Sequence, residues 1–188
     1  MFSTTIGGAP VTTAYYARFS ASLVASVCAA IFGGVVMLVV MAVALMAAEH
    51  TSFFYVLRPI GTFLYGDRML VAPTPAMYAA AAAAHFGVCA IWGIVFGYAA
   101  TLLRVDKSVG GSLALGVVLG LAAVILDVGF IAPALQNRLW GDDLWIGVMP
   151  PAVSWLGHVA FGLSFAVVPL LFRRLWLRWS GADLSNVR

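Results

Sequence analysis

Charge is what this chain has least of. Charged residues fill only 9% of its 188 positions, while 63% are hydrophobic and the mean hydropathy is +1.04. A water-soluble globular domain covers its surface with about 25% charged residues, so a fully hydrated surface is excluded. Thiols are scarce as well. Cys28 and Cys89 both lie inside hydrophobic runs, and no C-x-x-C pair exists, which excludes a disulfide framework and a dithiol redox motif. The usual signatures of catalysis are missing: there is no H-E-x-x-H, no G-x-S-x-G elbow and no P-loop. Gly7-Gly8 and the glycines after Gly110 read as turn and packing signals. The net charge of +3 lies beside the ends of hydrophobic runs rather than on one face, which argues against nucleic acid as a partner.

What is abundant is uninterrupted apolar sequence. Four intervals carry no formal charge: Phe19–Ala48, Met69–Leu103, Ser108–Leu126 and Leu144–Phe172. Each exceeds or approaches the roughly 20 apolar residues needed to cross about 30 Å of hydrocarbon. The fold class expected is an all-α integral membrane protein, one four-helix domain over residues 1–188, with spans near 19–44, 76–101, 109–131 and 152–173. The first run begins after Arg18 and outlasts a signal-peptide core, so it reads as a retained span. Pro75 and Pro151 mark helix starts, where a missing backbone donor is harmless.

Loop charges give an orientation. Arg18, Arg104, Lys107, Arg173, Arg174, Arg178 and Arg188 flank one side, and only Arg58, Arg68 and Arg138 the other. The positive-inside rule then puts both termini on the cytoplasmic side of the membrane. The outer connections run near 45–75 and 132–151, where Tyr55, Phe63, Tyr65, Trp140 and Trp145 read as membrane-edge anchors. Those connections resemble each other. Tyr65-Gly66-Asp67 matches Trp140-Gly141-Asp142, and a proline, Pro75 or Pro150, follows nine residues after each glycine. The expectation is a pair of repeated helical hairpins.

Polar residues inside the spans are few and therefore informative. His85 belongs to a four-residue ladder with Ala81, Cys89, Gly93 and Gly97, and His158 to one with Ser154, Gly162 and Ala166. Gly116 and Gly120 repeat the spacing in the third span. Such ladders share one helical face, where small side chains let membrane helices approach closely. At 1.5 Å per residue, His85 lies about 15 Å along its helix from Pro75, and His158 about 10 Å from Pro151. Asp127, near the outer end of the third span, is placed to accept a hydrogen bond from one of the two rings. The set reads as interhelical hydrogen bonding, as a proton or small-solute route, or as a haem b site with His85 and His158 as axial ligands. Too few ligands are present for a four-coordinate structural zinc site.

From His85 onward the chain resembles the YagU-like bacterial inner-membrane proteins. The likeness rests on HFGVCAIWGIVFGY at 85–98, GGSLALGVVLGLA at 110–122 and LGHVAFG followed by Arg173-Arg174. It implies a small multi-spanning inner-membrane protein and brings no catalytic residues with it. The function expected is that of a non-enzymatic accessory or scaffold in the lipid bilayer, with a membrane-protein partner or a second copy as binding partner. A small transporter or proton-linked channel, or a haem-bearing electron-transfer subunit, are the alternatives.

Overall fold

The computed structural model describes residues 5–6 and 9–180. The described residues are predominantly helical. Among them, four helical segments are long and apolar enough to cross a membrane: Tyr15–Glu49, Pro75–Leu103, Val109–Trp140 and Pro151–Trp179. The first span lies within α1, Val11–Glu49, whose 39 residues reach about 58 Å, well beyond the hydrocarbon thickness. A short connection then carries α2, Leu57–Tyr65, and α3, Arg68–Val71. The second span is α4, Pro75–Leu103. The third joins α5, Val109–Ala123, through a π-helical stretch at Val124–Ile131 to α6, Ala132–Trp140. After α7, Leu144–Val148, the fourth span runs through α8, Pro151–Leu163, a 3₁₀ turn at Ser164–Val167 and α9, Val168–Ser180.

Helix starts follow the local chemistry. Thr74 accepts the Met77 N–H with Pro75 at the first helical position, and Ser108 accepts the Gly111 N–H at 3.2 Å. The two irregular stretches share a cause: each lies just ahead of a proline. Pro133 and Pro169 supply no N–H to the carbonyl four residues earlier, and their rings crowd it. The backbone widens to a π register before Pro133 and tightens to 3₁₀ before Pro169, which keeps the helix continuous through apolar surroundings. The third span therefore runs to Trp140 rather than ending near 131, and the second outer connection shrinks to the residues between α6 and α8.

The first span is the centre of the bundle. It packs on the second along one side and on the fourth along another, and the third packs on the fourth. The order around the bundle is second, first, fourth, third. Glycine makes the close contacts. Gly93 and Gly97 of α4 face Ala30, Val27, Leu23 and Ser26 of α1. Gly116 and Gly120 of α5 lie against Gly162 and the His158 carbonyl of α8, where a Cβ at Gly120 would sit 2.5 Å from that oxygen. Gly33 meets Ser164, and Gly157 meets Met41. Ala81, His85, Cys89, Gly93 and Gly97 are all buried, as are Gly116, Gly120, Ser154, His158 and Gly162. Ala166 departs from its ladder. The 3₁₀ turn changes the helical phase, so Ala166 is half-buried and Phe165 takes the inner face.

At the end of the bundle where the first span begins, Arg18 closes on Asp106, a fully buried carboxylate, at 3.1 Å. This pair brings the start of the first span and the second–third connection to the same end. At the opposite end, the one expected to face outward, α2, α3 and α7 form a packed cover rather than loose loops. Buried Gln136 donates to Thr62 Oγ1 at 2.6 Å and accepts the Trp145 N–H at 2.7 Å, tying α6, α2 and α7 together. Arg58 lies over the Tyr55 ring and donates to Tyr78 Oη and the Leu70 carbonyl. The two Gly-Asp motifs meet here: Gly66 and Gly141 both adopt positive φ as helix C-caps, and Gly66 packs on the Trp140 ring. Trp145, expected at the membrane edge, is buried instead against Phe63, with ring centroids 5.8 Å apart.

A comparison of two glycines tests this packing. Gly120→Ala puts a methyl group against the fourth span's backbone and is expected to cost about 1–3 kcal/mol. Gly87→Ala meets nothing within 4 Å and is expected to be neutral or up to about 1 kcal/mol stabilising. Thermal unfolding midpoints in detergent check the pair, and equal midpoints would contradict the packing.

Candidate functional site: a cavity open between the second and third spans

Because the second and third spans sit at opposite ends of the bundle order, they leave a gap in their outer halves. A cavity of about 260 Å³ fills it. All four spans line it: Met37 and Met41 from the first, Ala84 to Trp92 from the second, Ala123 to Leu135 from the third, and His158 and Phe161 from the fourth. Ile60, Phe63 and Trp145 of the outer cover roof it. Below it Phe96 and Phe165 stack with centroids 4.1 Å apart, and Phe161 meets Phe165 edge-on. Three lining residues are also exposed on the outside of the bundle: Val88 at 46%, Ile131 at 54% and Leu135 at 41%. All three belong to the second and third spans, so the mouth opens sideways, on the flank of the bundle.

Three residues singled out by sequence reach this cavity together: His85, Asp127 and His158. They do not bond to one another. His85 Nε2 lies 3.1 Å from the Gly34 carbonyl of the first span. A carbonyl oxygen only accepts, so this nitrogen carries the proton and donates across the interface. Cys89 Sγ approaches the same nitrogen at 3.6 Å. His158 Nδ1 donates instead to the Ser154 carbonyl one turn back on its own helix, at 2.8 Å. The two rings are thus opposite tautomers. In neutral His158 the distal Nε2 is a bare lone pair, and none of the described residues bonds to it. Asp127 takes its hydrogen bond from Trp92, whose Nε1 lies 2.9 Å from Oδ2. This corrects the expected histidine–aspartate contact. It also puts a polar clasp between the second and third spans at the mouth.

Trp92 is the site residue that sequence reading missed, although a signal was present. His85, Cys89 and Trp92 follow the i, i+4, i+7 spacing of one helical face. Asp127 sits in the π stretch with Val128 and Ile131, and single-turn π irregularities recur at functional positions. Glu49 ends α1, and His50 follows it at positive φ, away from the cavity lining.

A haem held by both histidines through Nε2 would require His85 to give up its hydrogen bond to Gly34, since that nitrogen carries the proton and only Nδ1 keeps a lone pair. Among the described residues no group of three His, Cys, Asp or Glu side chains is placed to hold a metal ion. What remains is an apolar chamber with a few convergent polar atoms, the usual make-up of a small-molecule site. No protein family, curated protein or solved structure matches the chain.

The hydrogen-bond assignments separate the two histidines by role. His85→Leu removes a bond between spans and is expected to cost about 0.6–2 kcal/mol. His158→Leu removes a bond within one helix and is expected to cost less. Unfolding midpoints in one detergent check the order, and a larger loss for His158→Leu would contradict it.

Proposed function

We propose that this chain is a non-enzymatic, multi-pass accessory protein of the bacterial inner membrane, and that its work is to hold a small molecule taken from the lipid phase. The observation that carries this reading is the sideways mouth between Val88 and Ile131, leading to a chamber whose walls are apolar apart from His85, Cys89, Trp92, Asp127, Trp145 and His158. A ligand that dissolves in hydrocarbon reaches such a site without crossing water. The transporter or channel reading is less well supported, because a hydrated solute route needs a polar path and these walls offer four-sided apolar contact. Both termini lie in the cytoplasm on this reading. The distribution of Arg and Lys supports that orientation, as does the Arg18–Asp106 pair that joins two of the basic segments at one end. The shared positive-φ glycine caps at Gly66 and Gly141 support an origin by hairpin duplication.

Two measurements test the proposal. In a background with Cys28 and Cys89 replaced by serine, cysteine at Asp142 is expected to react with a membrane-impermeant maleimide in intact spheroplasts. Cysteine at Lys107 is expected to react only after permeabilisation, and the reverse pattern would overturn the orientation. For the site, protein purified in mild detergent is extracted with organic solvent and the extract is weighed by mass spectrometry. A stoichiometric apolar compound is expected from the native chain and not from a stably folded Ala84→Trp variant, whose indole fills the mouth. Identical extracts from the two would contradict the ligand reading.

A further inference from the structure

We infer that the cavity selects a lipid-phase molecule whose head carries a hydroxyl group, such as a long-chain alcohol or an alkylphenol, and that the hydroxyl donates its hydrogen bond to His158 Nε2. The inference rests on the ligand reading above and adds the chemistry of the head. It comes from counting which hydrogen-bonding atoms around the chamber are already engaged. Three of the four strong donors are committed: His85 Nε2–H to the Gly34 carbonyl, Trp92 Nε1–H to Asp127 Oδ2, and His158 Nδ1–H to the Ser154 carbonyl. The fourth, Trp145 Nε1–H, is buried in the roof with no partner among the described residues. The Cys89 thiol is a weak donor and already lies beside His85. The other atoms left over accept. His158 Nε2 has no partner among the described residues, and Asp127 keeps a second carboxyl oxygen beside the Trp92 clasp.

A head that only accepts, such as an ether or a ketone, has only the Trp145 N–H to bond and leaves the His158 lone pair unmatched. A hydroxyl matches it. Sites built to hydrogen-bond a ligand group reject the analogue that lacks it more strongly than they reject a change of one methylene. The tail has an exit already: from His158 it runs past Met41 and Val128 and leaves between Val88 and Ile131 into lipid.

The test uses 3-azi-1-octanol, a photoreactive alcohol, with the full-length protein in liposomes. Adducts are mapped by peptide mass spectrometry, and octan-1-ol is compared with 1-methoxyoctane as competitor. Saturable labelling is expected on the cavity-lining stretches of α4 and the π segment. The alcohol is expected to compete at least about tenfold more strongly than its ether, the ratio that corresponds to one buried hydrogen bond left unmade. In His158→Phe the labelling persists and that ratio falls toward one. If alcohol and ether compete equally on the native chain, the hydroxyl inference is overturned while the ligand reading stands. If no saturable adduct forms in the cavity, both are overturned. The competitor pair is read on the native protein, so the outcome does not hang on whether the variant folds.

Discussion

Hydrocarbon offers no hydrogen bonds, and that single constraint organises this molecule. Every polar atom carried into the membrane has to find its partner within the protein, at a cost of several kcal/mol if it does not. His85 meets it by reaching across to the Gly34 carbonyl, Trp92 and Asp127 by pairing with each other, and the Ser26, Thr101 and Ser164 hydroxyls by donating to carbonyls one turn back. The same constraint explains the π and 3₁₀ stretches, which keep the spans helical past Pro133 and Pro169. Against this background a bare ring nitrogen facing an apolar chamber is conspicuous. The Ser22 and Ser154 hydroxyls also lack partners among the described residues, but His158 Nε2 and Trp145 Nε1 are the unmatched atoms that belong to residues lining the chamber.

Close packing decides where that chamber can be. Glycine faces draw the second span onto the first and the third onto the fourth, while the first and fourth meet through Gly33, Ser164, Gly157 and Met41. Three tight interfaces among four helices leave the second and third spans, neighbours in sequence, as the loose seam. The Trp92–Asp127 bond clasps that seam at one level, and the Phe96–Phe165 stack closes the space beneath it. Above, the Gln136–Thr62–Trp145 network holds a lid in place. The result is a site closed from above and below and open from the side.

Much of this was written in the sequence, in the terms that sequence physics can reach. Hydrophobic length gives the four spans, because crossing a bilayer is a one-dimensional requirement. The scarcity of ionisable residues picks out His85, Asp127 and His158, and four-residue spacing gives the small faces that bury them. Which helix meets which is a different matter: Gly93 and Gly116 look alike in sequence, yet one packs on α1 and the other on α8. Trp145 reads as an interfacial anchor because its neighbours are Asp142 and Asp143, and only the fold shows Gln136 holding it inward. The contact of Asp127 with Trp92 rather than a histidine depends on the π stretch rotating the third span. Ala166 loses its place to Phe165 for the corresponding reason in the fourth.

The tautomers of the two intramembrane histidines put the whole arrangement to the most direct test. Nitrogen-15 NMR of histidine-labelled protein in lipid, with His50→Gln removing the third ring, distinguishes protonated from bare ring nitrogens. The structure requires one ring protonated at Nε2, assigned to His85 by its loss in His85→Leu, and one protonated at Nδ1 with Nε2 bare, assigned to His158. Two rings both protonated at Nε2 would contradict the account.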